Sequence, residues 1–171
     1  MRNNLRVAFI GLLTLVIMGA IWSAFSTPRT GNGGTTAAKS VTLVVDFGKH
    51  SNRPVKSFAL DDLPATVKGW DLFAAANLQV EGTSQYPTGF VCRISGWPAK
   101  ANQDCEDTPT YNEGHWAYYV TGEELGSGWM LSGLGAAMHS PNCAGYEGWS
   151  WVDPGAESSP PRFKPAIRAC K

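Results

Sequence analysis

The sequence has no surplus of either charge. Its 14 Lys and Arg match 14 Asp and Glu, a net charge of zero with histidine neutral. Neutralising nucleic-acid phosphates needs a basic surplus, so the whole chain offers no electrostatic case for that partner. The usual short signatures of chemistry are missing too. There is no C-x-x-C, and His50, His115 and His139 show no H-x-x-x-H spacing, so no metal site is expected. Ser132 and Ser150 lack a G-x-S-x-G elbow, and the GLGAA run at 133–137 is not followed by the Lys-Ser/Thr of a phosphate loop. These absences point away from an enzyme.

Apolar and aromatic content is ample. The hydrophobic share is 43%, with 7 Trp, 5 Tyr and 7 Phe, which excludes pervasive disorder. A chain of 171 residues suits one domain with appendages. The first appendage is explicit. Val7 to Phe25 carries no charge, and only Thr14 and Ser23 are polar. As a helix it would span about 28 Å, enough to cross a bilayer. It also suits the core of a secretory signal, with Ala24 and Ser26 placed for cleavage after Ser26. Trp22 and the length of the run favour retention as an anchor, while cleavage stays open. The run has no Cys near its end, which removes a lipoprotein-type anchor. Arg2 and Arg6 precede it, so the positive-inside tendency sends the rest of the chain outside.

Residues 1–26 are therefore read as a signal peptide or single transmembrane anchor. Residues 27–40, TPRTGNGGTTAAKS, are small and polar and read as a flexible linker reaching about 20 Å. Without Arg2 and Arg6 the remainder has 12 basic and 14 acidic residues, a net charge of −2. Membrane contact is then expected only through an uncleaved N-terminal segment.

All the cysteines follow the linker: Cys92, Cys105, Cys143 and Cys170. Outside the membrane such thiols oxidise, so two disulfides are expected. Three pairings exist, of which Cys92–Cys105 and Cys143–Cys170 is favoured, because each pair flanks a loop-like segment with proline.

Val41 to Phe47 is β-branched and ends in a turn-rich stretch, so it reads as a strand, with Val55 to Leu60 as its hairpin partner. Val67, Trp70, Phe73 and Ala74 fall at helical spacing, which predicts a helix capped by Thr66 and ending near Asn77. Phe90 to Ile94 alternates as a half-buried strand with Arg93 half-exposed. His115 to Val120, Trp129 to Leu131 and Tyr146 to Val152 are further strands. The expected fold class is α+β: a β-grasp-like mixed sheet with one packed helix, stapled by disulfides, after the N-terminal membrane or signal helix. The tail after Asp153 is Pro-rich and is expected to be held only by Cys170.

The segments VKGWDLFAAAN, GFVCRISG, HWAYYVTG and GYEGWSWV carry a resemblance. Together they resemble the C-terminal domain of transcobalamin and intrinsic factor and its bacterial secreted relatives, with an actinobacterial flavour in the CRISGWPAKANQDC insert. Val67, Asp71, Leu72 and Ala75 approximate the helix motif; Gly89, Val91, Ile94 and Gly96 the next strand; Trp116, Tyr118, Tyr119, Val120 and Gly122 the third. The resemblance covers residues 41–153, leaving 154–171 as the Pro-rich tail. It implies a non-enzymatic extracytoplasmic module that presents a small molecule, a corrinoid or other micronutrient, to a membrane transporter. The large helical domain that completes the corrinoid site in the animal carriers is absent from this sequence, so cobalamin binding does not carry over with the resemblance. The alternative is an envelope module that meets another protein or the cell wall.

The expected ligand-binding set is aromatic: Trp116, Tyr118, Tyr119, Trp129, Trp149 and Trp151. Flat rings with polar edges suit a planar ligand or a partner surface, and equally a core. No catalytic residue is expected and no cofactor beyond that ligand. Asp104, Glu106, Asp107, Glu123 and Glu124 read as solvated loop charges, and His115 and His139 as surface or edge residues.

Overall fold

The computed structural model describes residues 38–122, 124 and 126–170. The Val7–Phe25 run and most of the linker lie outside them. Among the described residues no helix is long and apolar enough to cross a membrane.

The fold is mostly sheet. Its strands are β1 (Lys39–Asp46), β2 (Lys56–Leu63), β3 (Val80–Gly82), β4 (Val91–Ile94), β5 (His115–Thr121), β6 (Trp129–Leu131) and β7 (Tyr146–Val152). One short helix, α1 (Asp71–Ala75), interrupts them. Five strands form a mixed sheet in the order β2-β1-β7-β5-β6, and β3 pairs with β4 in a separate two-stranded sheet. At the centre β1 and β7 run parallel; the other neighbours are antiparallel. β1 starts at Lys39, two residues into the expected linker.

β1 explains the core. Val41, Leu43 and Val45 join one hydrophobic cluster with Leu72 and Phe73 of α1, Val91 and Ile94 of β4, and Trp149 and Trp151 of β7. Alternation puts these side chains on one face. The other face buries Ala117, Tyr119 and Val152, with Trp129 and Ala156 against them. Both faces of the central strands are thus covered, so β1, β5 and β7 are buried nearly end to end.

Three expectations change. The helix is five residues, not a span from Thr66 to Asn77. Its approach is claimed by the neighbouring loop: Gly69 N–H donates to His139 O and Trp70 N–H to Ala136 O. Trp70 then occupies the N-cap position without a side-chain cap. Asn77, with φ of 53°, ends the turn beyond it. Second, β4 is buried on both sides, because the disulfide loop folds over the face expected to be wet. Arg93 is buried there, donating from Nε to Pro98 O at 2.7 Å and from an Nη to Gln103 O at 2.5 Å, and pairing with Glu81. Third, the C-terminal tail is held at several points besides Cys170. Pro161 and Pro165 are buried, Arg162 forks onto Asp46, and Arg168 reaches Asp61 at 2.7 Å.

The disulfides are Cys92–Cys105 and Cys143–Cys170, each with Cα atoms 5.6 Å apart. The favoured pairing is the observed one. The first closes the loop over β4; the second ties the tail to the chain just before β7.

Candidate functional site

The six aromatic residues predicted from sequence fall on both faces of the sheet. Trp116 and Tyr118 of β5 sit directly opposite Trp151 and Trp149 of β7. On that face Tyr118 stacks on Trp149 at 4.7 Å, Phe73 lies 5.4 Å from Trp149, and Trp116 meets Trp151 edge to face at 5.6 Å. Phe47 and Trp97 extend the chain of rings at 5.6 and 6.3 Å. These separations are those of packed aromatic cores. Tyr119 points to the opposite face and is buried there. Trp129, on the edge strand, is half-buried and lies edge-on to Tyr146 at 4.5 Å. Of the six, Trp129 alone keeps substantial contact with solvent.

The helix-side face also holds a polar group that sequence reasoning missed. Glu147 of β7 stands among the rings with 2% of its side chain exposed. Tyr118 Oη donates to Glu147 Oε2. His139 Nε2 lies 3.2 Å from Glu147 Oε1, and the His139 ring meets Tyr118 edge-on at 6.0 Å. Burial, and then the neighbouring carboxylate, push the Tyr118 phenol up, so it stays a proton donor at any physiological pH. Gly69 closes this group. A Cβ there would lie 2.6 Å from Glu147 Oε2 and closer still to Tyr118 Oη, so only glycine lets the chain pass. The cluster therefore braces the 133–140 loop against the sheet. His139 is half-buried rather than a free edge residue. His115, at the start of β5, is half-buried as well, and burial pushes its imidazole down toward the neutral form.

A second charged centre lies at the carboxyl ends of the parallel strands β1 and β7. Asp46 is buried at 2% side-chain exposure and accepts from Gly48 N–H at 3.0 Å, Arg162 N–H at 2.8 Å and the Arg162 guanidinium at 2.6–3.1 Å. Burial raises its carboxyl, but the Arg162 and Gly48 hydrogen bonds outweigh that and hold it below the usual carboxylate value. Beside it His50 Nδ1 lies 2.7 Å from Asp153 Oδ2. A polar cavity of about 220 Å³ opens here between Asp46, His50, Asp153 and Arg162.

The conspicuous surface is elsewhere. Between β6 and the end of the following loop, Met130 is 43%, Leu131 54%, Leu134 58% and Met138 71% exposed. Met130 and Leu131 belong to β6, which among the described residues is an edge of the sheet. The opposite edge, β2, is guarded by Lys56, Asp61 and Asp62, the usual protection of an unpaired strand. β6 carries no charge. Asp104, Glu106, Asp107 and Glu124 are exposed, in keeping with solvated loop charges. Among the described residues no group of three or more His, Cys, Asp and Glu is placed to hold a metal ion. No protein-family model matches the chain, and no curated protein matches it.

Proposed function

We propose that the chain is an extracytoplasmic, non-enzymatic binding module that meets its partner through the apolar strip Met130, Leu131, Leu134 and Met138. The observation that carries this reading is four exposed large apolar side chains within nine residues, on and beside an uncharged edge strand. Exposed apolar side chains concentrated in one stretch of chain with polar groups beside them mark a contact surface, and Met130 and Leu131, adjacent in β6, present it on both sides of the sheet edge. Here the polar groups are Lys68, which reaches Ser140 Oγ at 2.8 Å, and Ser132. The two disulfides fit an oxidising, extracytoplasmic compartment, and the N-terminal apolar run would deliver or anchor the domain there. The strand order with a parallel central pair, and a helix packed on one face, support the β-grasp reading and with it a kinship to the transcobalamin C-terminal domain.

The partner is an envelope protein, with a membrane transporter first. A photo-crosslinker at position 134 or 138 should trap a defined partner, and one at Lys56 on the guarded edge should not. L134K with M138K should abolish the adduct while thermal stability stays within about 0.5 kcal/mol. Equal trapping from position 56 would sink this reading. The resemblance favours a second arrangement, in which the strip covers one face of a flat apolar ligand such as a corrinoid held jointly with that partner. Half-buried Trp129 would report it: absence of fluorescence quenching by a corrinoid panel at high micromolar concentration, with the partner present, removes this arrangement.

A further inference from the structure

We infer that the outer face of the sheet is a recognition groove for a Pro-Arg segment, filled here by the chain's own tail and able to take the tail of a second copy. The tail touches the sheet at anchors rather than continuously. Residues 157–160 are exposed, Pro161 is buried, 162–164 are exposed, and Pro165 is buried. Pro161 sits where β7 has no side chain. A Cβ on Gly148 would lie 2.7 Å from both Pro161 Cγ and Trp129 Cη2, so the proline ring and the indole both close over the bare glycine backbone. The next residue, Arg162, gives its backbone N–H and its guanidinium fork to Asp46, and a further hydrogen bond to Gly48 O at 3.1 Å. A ring in an aromatic slot, followed by a cation on a buried carboxylate, is the chemistry by which grooves read proline-rich peptides.

The tail behaves as a ligand in two further respects. Among the described residues it forms no strand, so leaving the groove would break no backbone ladder. Asp46 and Arg162 are 116 residues apart, and the segment joining the tail to β7 is exposed apart from half-buried Asp153 and Ala156, with Gly155 held by Tyr111. A second copy is the occupant we assign, because its tail makes the identical contacts and exchange of identical elements costs little beyond association. The cis tail wins in dilute solution through its effective concentration, of order millimolar for a short tether. Cys170 then bonds to Cys143 of whichever copy holds the tail.

The test uses two full-length chains of different mass, C143S and C170S, mixed with oxidised glutathione. Each new disulfide consumes two thiols and reduces one oxidised glutathione to two glutathione thiols. The expected product is a heterodimer linking Cys170 of the first to Cys143 of the second. D46N in the C170S copy should lower its yield about tenfold, as should an excess of a free peptide of residues 158–168. Glutathione adducts alone, or a heterodimer insensitive to both treatments, would overturn the inference. Should either variant fail to fold, the wild-type chain serves. Refolded from a mixture of light and heavy isotopes at high micromolar concentration, it should give Cys143–Cys170 peptides of mixed isotope. Same-isotope peptides alone would refute exchange.

Discussion

Glu147 is a carboxylate in the middle of an aromatic strand, and its tolerance there rests on Tyr118. Removing that donor leaves a buried carboxyl oxygen short of a partner, which costs more than the hydrogen bond itself. Tyr118→Phe should therefore lower unfolding stability by about 1–3 kcal/mol in urea titrations, with little change in packing. Asp46 makes a pH prediction. Its folded carboxyl lies below the ordinary aspartate value, so its stabilising share is complete above that value and fades as pH falls through the folded one. The stability difference between wild type and Asp46→Asn should be flat from neutral pH to about 5 and shrink below about 4. A difference that instead shrinks as pH rises would assign the effect to another group. Both carboxylates are visible in the sequence as lone charges inside VTLVVDF and GYEGWSWV. What could not be read there is the partner. His139 and Arg162 come from segments without periodicity, and Arg162 is 116 residues away from Asp46.

At the scale of elements, strands with strong alternation or β-branched runs are legible: β1, β2, β4, β5, β6 and β7 all lie where the pattern puts them. The length of α1 and the burial of β4 differ from expectation for one shared reason. Local period says which residues can share a face, not whether a distant loop will cover the other face or capture a helix's first N–H groups. The 133–140 loop does the second, and the Cys92–Cys105 loop does the first. That disulfide closes a separation of 13 residues, worth about 3 kcal/mol in the chain-entropy model. Replacing Cys92 and Cys105 by serine should cost roughly that in stability and expose β4 amides to hydrogen exchange before those of β5 and β7. Of the candidate site, sequence showed which side chains are aromatic but not which are wet. Period-2 alternation separates two faces and does not tell which is covered when both can be. The exposure of Met130, Leu131, Leu134 and Met138 is not legible in the sequence, because their spacing, interrupted by Gly and Ser, suits a buried face as well as an open one.

For the whole molecule, the balanced net charge and the two disulfides place opposite demands on where the chain can fold. Charge balance gives no colloidal protection to an unfolded chain rich in aromatic residues. The disulfides close separations of 13 and 27 residues. In the chain-entropy model they contribute about 3 and about 3.5 kcal/mol, against about 5–15 kcal/mol for a whole domain. They sit on different parts of the fold, one over β4 and one at the tail, so their losses should nearly add. Expressed without residues 1–26 in a reducing cytosol, the domain should lose most of its stability margin and accumulate as aggregate. The same sequence sent to an oxidising compartment should be soluble. Mass spectrometry under non-reducing conditions should then find no free thiol and the pairs Cys92–Cys105 and Cys143–Cys170. Four free thiols in exported, folded protein would show that the core of Val41, Phe73, Trp149 and their neighbours stands without either bond. The apolar run at the N-terminus would then have to be explained by something other than the need to reach an oxidant.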